Sequence, residues 1–161
     1  WWGREVIGLR LNGQPIGELA LSAGIAGAYG VPMGLLTGDD ALASEATSLL
    51  PTVETVIVKE ARERFAAICL PPQQTSRMIR AGASRATERV DEFSPWIVEM
   101  PVRFEVGWAS TAEAAAAAVV PGSERTGPRT VAYKAEDFLS AFQGLLACLI
   151  VGRTASDQTF G

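Results

Sequence analysis

The chain has 161 residues, of which 48 % are hydrophobic and 20 % are charged, and its formal net charge at pH 7 is −4. This composition is typical of a folded globular protein, and the length predicts one domain spanning 1–161. The acidic charge and the lack of a basic stripe argue against a nucleic-acid partner. The longest apolar run, 145–151, is too short to cross a bilayer, so we expect no membrane span.

The chain contains no histidine. A Ser-His-Asp triad is therefore excluded within this sequence, as are an imidazole base and the commonest metal ligand. The sequence also begins Trp-Trp-Gly, without methionine or a signal peptide. We expect that residues have been lost from its front, by processing or by choice of boundaries, and that the protein is cytoplasmic.

The densest structural signals lie in residues 9–40. An extended segment ends at Asn12-Gly13, the strongest turn signal of the chain. A helix is predicted for Glu18–Tyr29, and its glycines and alanines would let its backbone approach a neighbour closely. An apolar strand is predicted for Val31–Thr37, and Asp40 is predicted to cap a helix over Ala41–Leu50.

The second clear strand is Thr55–Lys59, whereas residues 60–70 fit either a loop or a helix. A helix is predicted from Pro71-Pro72 to about Val90, with arginines on a solvated face. A strand is predicted over Val102–Trp108, followed by a capping box at Ser110 before a short helix, and then by a loop over Gly122–Gly127. The last predictions are a strand over Arg129–Lys134, a helix over Glu136–Val151 and a loose tail over 152–161.

The alternation of strands and helices in the first ninety residues predicts an α/β fold. We expect three layers with a mixed, partly parallel sheet, plus a strand/helix extension at the C-terminal end. The strands at Val31–Thr37 and Thr55–Lys59 should be adjacent in one sheet, because a single helix joins them.

Both cysteines, Cys69 and Cys148, lie in apolar contexts. A domain of this length needs no covalent staple, so two buried free thiols are favoured over a disulfide.

Four residues at three places in the sequence could carry chemistry. Glu18 is a carboxylate at a predicted helix start, where the helix dipole would also favour it for structural reasons alone. Asp39 and Asp40 could form an acid or metal pair, although a capping turn is the simpler interpretation. Lys59 ends an apolar strand, a place where sheet proteins hold functional groups, but a solvated strand end fits equally well.

The motif order LNGQPIGE, AGAYGVP, LLTGDD and TVIVKEA resembles the C-terminal half of the zinc-dependent D-aminopeptidase family, the DppA-like metallopeptidases. The resemblance continues through PPQQTSRMIRAGASRA, PVRFEV and VAYKAEDFLSAF, and so covers roughly residues 4–150. It implies that Glu18 is a zinc ligand. The family's Asp-x-Glu-Gly strand, two ligand histidines and catalytic histidine would all precede Trp1. Ala28 stands where histidine is common.

The resemblance further implies a metal-dependent aminopeptidase or amidase that hydrolyses small peptides or amino-acid amides. Two zinc ions are expected per assembled site, shared with a companion chain that carries the N-terminal half, and further oligomerisation is expected. Lys59 could contact the substrate or an oxyanion. The alternative is a metal-free binding or scaffold module of the same fold.

Overall fold

The computed structural model describes residues 3–155. In chain order the elements are β1 Val6–Leu11, β2 Gln14–Pro15, α1 Glu18–Ala28, β3 Leu35–Asp39, α2 Asp40–Leu49, β4 Glu54–Glu63, β5 Ala66–Cys69, α3 Pro72–Glu88, a 3-10 turn Val90–Glu92, β6 Val102–Trp108, α4 Thr111–Ala117, β7 Ser123–Gly127, β8 Thr130–Ala135 and α5 Phe138–Arg153. They divide into two compact units. The first comprises the chain up to Leu21 and from Val98 onward, and the second comprises Ser22–Ile97.

The first unit is built on a five-stranded antiparallel sheet in the order β2-β1-β6-β8-β7. Burial alternates along β6, as expected for a strand with one face on a core. Helices α4 and α5 contact β6 and β8. The largest fully buried side chains of this unit are Trp108, Phe104, Leu145, Leu149, Val102, Val106, Val131 and Cys148.

The second unit holds a three-stranded mixed sheet in the order β3-β4-β5. Strands β3 and β4 are parallel and are connected by α2, whereas β4 and β5 form an antiparallel hairpin. Gly38 of β3 lies against Leu42 of α2, whereas Leu35 lies against Gly82 of α3. Because residues of opposite parity along a strand face opposite sides, α2 and α3 cover the two faces of the sheet. The prediction of a three-layer α/β fold with a mixed sheet is confirmed in this unit.

Several predicted bounds are confirmed to within about two residues, namely α1, α2, α3, β6, β8 and α5. The predicted strand at Val31–Thr37 is displaced, since β3 begins only at Leu35. Helix α1 ends at Ala28, and the residues between it and β3 form its C-terminal turn and an irregular connection. The Val31 amide donates to the Ala26 carbonyl at 2.9 Å, Gly30 has a φ of 71°, and Pro32 has no amide hydrogen to give a sheet.

Two segments were predicted wrongly, and in each the residues become extended by pairing with the neighbouring strand of a hairpin. Residues 60–70 are neither a loop nor a helix, since β4 continues to Glu63 and turns back into β5. Gly122–Gly127 was predicted as a loop, but most of it is β7, which pairs with β8. The sequence signals there are polar, and only the neighbouring strand makes the segment extended.

The loose tail was predicted to begin at residue 152, which is too early. Gly152 and Arg153 belong to α5, and Gly152 is buried against the ring of Trp108, where a Cβ atom would come within 2.3 Å of the ring. Residues 156–161 lie outside the described part of the chain.

Both cysteines are free thiols, as predicted. Cys148 is buried on α5, and burial raises its pKa to about 11. Cys69 was also predicted to be buried but is exposed, because β5 is the outer strand of its sheet.

Within residues 3–155, no helix has the length and apolarity that a membrane crossing requires.

Candidate functional site

The tight turn at Asn12-Gly13 fixes the approach to the candidate ligand Glu18. Both turn residues have positive φ, 48° and 83°, the conformation for which Asn-Gly is best suited. The Asn12 amide donates to the Arg103 carbonyl, and its side-chain oxygen accepts from the Arg103 amide, each at 2.8 Å. Its side-chain nitrogen donates to the Glu99 carbonyl at 2.8 Å. The turn is thus tied to the start of β6 and to the segment just before it.

Two further hydrogen bonds extend this support towards α1. The guanidinium of Arg10 donates to the Gly13 carbonyl at 2.8 Å, and the Ile16 amide donates to the Leu9 carbonyl at 3.0 Å. They hold the short β1–β2 ribbon closed and leave only Gly17 between it and the helix start.

Glu18 is the first residue of α1, and its side chain is exposed. The next three residues, Leu19, Ala20 and Leu21, are 5 %, 1 % and 3 % exposed. The backbone beneath the carboxylate is therefore held by the core of the first unit while the carboxylate itself remains accessible. A carboxylate on such a rigid base can serve as an oxygen ligand to a cation with little conformational cost.

The fit to a metal is limited to this one ligand position. Among residues 3–155, no three or more His, Cys, Asp and Glu side chains come together in a group that could hold an ion. Zinc sites use at least three protein ligands, so residues 3–155 do not form a complete zinc site and Glu18 could supply at most one ligand.

The small residues of α1 allow a close approach, as predicted. A Cβ atom on Gly27 would lie 1.9 Å from the carbonyl oxygen of Trp96. Only glycine fits at this contact, which holds the end of α1 against the segment before Val98. Ala28 is exposed.

The acidic turn after β3 is structural, with the two carboxylates in different roles from those predicted. Asp39, not Asp40, caps α2, since its carboxylate accepts from the Leu42 amide at 2.8 Å. Asp40 accepts from the Ala61 amide at 2.8 Å, and this hydrogen bond lowers the pKa of the Asp40 carboxyl. Asp40 therefore links the first turn of α2 to β4.

Lys59 is exposed and lies in the middle of β4 rather than at its end, which corrects the prediction. The strand continues because β5 pairs with it beyond this point. The Cα partners of Lys59 are Asp39 in β3 and Cys69 in β5. Lys59 thus stands level with the carboxyl end of β3, in the second unit, whereas Glu18 belongs to the first.

An ion-pair cluster around Glu54 was missed by sequence reasoning. The Glu54 carboxylate accepts from Arg85 at 2.5 and 2.8 Å and pairs with Arg89 at 3.4 Å. Arg89 also donates to the Thr52 carbonyl at 3.1 Å. Both arginines had been assigned to the solvated face of α3. Their spacing of four residues was the available signal, but the partner on β4 could not be read from it.

A peptidase family model matches residues 1–147. The chain belongs to that family, the D-aminopeptidases of peptidase family M55. A D-aminopeptidase of Bacillus subtilis (strain 168) is 36 % identical over 137 residues, which cover 84 % of this chain and 50 % of that protein. The resemblance found in the sequence motifs is thereby confirmed.

A solved structure, described as the Zn-dependent D-aminopeptidase DppA from Bacillus subtilis, a self-compartmentalizing protease, shares the fold. Its TM-score is 0.89 at 33 % identity, covering 94 % of this chain and 56 % of that chain. The chain thus spans about half the length of the relatives it matches.

Proposed function

We propose that this chain forms one half of a zinc-dependent aminopeptidase that hydrolyses amide bonds of small peptides or amino-acid amides. The observation that carries the proposal is the placement of Glu18. It is an exposed carboxylate on a rigid turn and helix start, in a chain whose structural neighbour is described as a Zn-dependent D-aminopeptidase.

In this proposal Glu18 supplies one oxygen ligand. Glu18 is the first residue of α1, where the helix dipole favours a negatively charged side chain. When bound, zinc would lower the pKa of a water molecule and polarise the scissile carbonyl. The role of this chain is to hold the Glu18 carboxylate in place, and the buried residues that follow Glu18 support that role.

The remaining ligands come from the half of the family fold that these residues do not cover. This chain has no histidine and covers 50 % of its curated relative. We propose two zinc ions per complete site. The other half is either joined to this chain or carried by the companion chain expected from the sequence.

Lys59 is proposed as a contact to the substrate carboxylate or to the oxyanion. Its ammonium group is exposed beside the carboxyl end of β3, a location that parallel sheets often use for ligand contacts. We further propose that copies of the complete protein assemble, because the neighbouring structure is described as self-compartmentalizing.

The test uses the complete protein, with both halves of the family fold present. Elemental analysis should find about two zinc ions per protomer, and removal of zinc by a chelator should abolish hydrolysis of D- or L-amino-acid amides. Intact mass determination shows whether the two halves are one polypeptide or two. A fully folded complete protein without zinc and without hydrolytic activity would overturn the proposal and favour the metal-free scaffold.

A further inference from the structure

The hairpin formed by β4 and β5 carries apolar side chains into solvent. Every residue from Lys59 to Cys69 is exposed. Phe65 at the turn is 93 % exposed, and Ile68 on β5 is 54 % exposed. Large apolar side chains clustered on one projecting element are typical of an interaction surface rather than of a surface in contact with water alone.

The outer edge of β5 has unpaired backbone groups. In the order β3-β4-β5 the last strand has a neighbour on one side only, within the described residues 3–155. The Leu70 amide donates to the Val58 carbonyl at 3.1 Å, and Lys59 is opposite Cys69. Because bonded and non-bonded pairs alternate in an antiparallel ladder, the amides of Ala67 and Cys69 point away from β4.

This edge lacks the usual protection against pairing. Residues 66–69, Ala-Ala-Ile-Cys, contain no charge and no proline. The corresponding edge strand of the first unit, β7, carries Glu124 and Arg125 instead. Exposed apolar edges of this kind are rare unless another strand covers them.

Building on the assembly put forward under the proposed function, we propose that the edge of β5 pairs antiparallel with β5 of a second copy of this chain, about a twofold axis. An antiparallel edge is self-complementary, since each copy offers the donors and acceptors that the other lacks. Such pairing places the turn of each hairpin, with Phe65, beside the base of the other, where Leu70 leaves the strand.

The charges of the hairpin permit this pairing. Positive and negative side chains alternate closely from Lys59 to Arg64, and Glu60 and Arg62 form an ion pair at 3.0 Å within the hairpin. Two copies therefore meet without a large excess of like charge. The small side chains of Ala66 and Ala67 leave the edge accessible to another backbone.

The test compares two substitutions at one position in the complete protein. Ala67→Pro removes an outward-pointing amide and leaves the ladder to β4 intact, whereas Ala67→Thr keeps the amide. Sedimentation or light scattering should show a smaller assembly for Ala67→Pro and the wild-type mass for Ala67→Thr. Ile68→Lys should also reduce the mass, with Val119→Lys, at another exposed apolar residue, as its control.

Any other pattern of masses overturns the inference. If circular dichroism shows that Ala67→Pro is misfolded, the comparison of Ile68→Lys with Val119→Lys tests the inference instead. Alkylation of Cys69, followed by peptide mass mapping, gives a second readout, since it should be slow in the wild-type assembly and fast in the dissociated variant. Persistent protection of Cys69 after dissociation would mean that the other half of the same protomer covers the edge, which contradicts pairing between copies. A wild-type protein that is a single protomer would instead refute the proposed assembly itself.

Discussion

Glu54, at the start of β4, is 13 % exposed in its side chain and is held by Arg85 of α3, 31 residues further along the chain. The contact fastens α3 to the mixed sheet at the first residue of β4. A second arginine, Arg89, approaches the other carboxylate oxygen at 3.4 Å. Because the carboxylate is largely shielded from water, this cluster should contribute more to stability than an ordinary surface pair.

The Glu54 cluster predicts a salt-dependent loss of stability. Glu54→Gln should lower the free energy of unfolding by about 1–2 kcal/mol, because a charged acceptor is replaced by a neutral one. Glu60→Gln is the matched control, since Glu60 and its partner Arg62 are both 52 % exposed in their side chains. Chemical denaturation of both variants at low and high salt measures their free energies of unfolding. Equal effects of the two substitutions would contradict the prediction.

The contact between Gly27 and Trp96 predicts an intolerant position. Gly27→Ala should destabilise the protein by about 2 kcal/mol or more, although alanine is the better helix former, because the new Cβ would overlap the Trp96 carbonyl oxygen. Gly8→Ala is the control, since a Cβ there meets nothing within 4 Å. Thermal unfolding of both variants tests this prediction. A stabilised Gly27→Ala protein would show that the contact with Trp96 relaxes easily.

The ligand role of Glu18 predicts a loss of metal without loss of fold. In the complete protein, Glu18→Gln should remove about one zinc ion per site and reduce kcat/KM by roughly 100-fold or more, because the neutral amide is a poor zinc ligand. Glu124→Gln, an exposed acidic residue on β7, is the control. Zinc content and thermal stability are measured together. Normal zinc content and turnover in Glu18→Gln would return this residue to a structural role at the helix start.

The buried thiol of Cys148 predicts a stability change at alkaline pH. Its pKa is raised from 9.0 to about 11, so the folded state keeps the proton that the unfolded state releases. This contribution is complete below pH 9 and is lost as the pH rises towards 11. Between pH 8 and 10.5 the wild type should lose about 2 kcal/mol more than Cys148→Ala. Parallel stability curves for wild type and Cys148→Ala over this pH range would refute the prediction.

Local signals in the sequence were sufficient to predict the structure where the interactions that determine it lie within a few residues. The Asn12-Gly13 turn, the capping box between Ser110 and Glu113, and the start of α3 at Pro72 all occur where the residues predicted them. Each depends on backbone conformation or on hydrogen bonds between residues three apart, and none requires a distant partner. The family could also be recognised, because its motifs occur in order along the chain.

The same reasoning failed where distant residues compete for one position. Asp39 and Asp40 are adjacent and chemically identical, and either could cap α2. The structure assigns the cap to Asp39 because Asp40 is drawn to the Ala61 amide, 21 residues away. No pattern in the sequence indicates that preference, since it arises only when β4 lies beside the helix start.

The sequence by itself therefore determined the α/β class, the family and the position of Glu18 after its turn. The tertiary structure alone decided that residues 60–70 form a hairpin, that Gly122–Gly127 ends in a paired strand, and that Cys69 is exposed. The physical reason is the range of the interactions. Turn and cap preferences act within a few residues, whereas strand pairing and burial depend on the segments that each residue meets once the chain has folded.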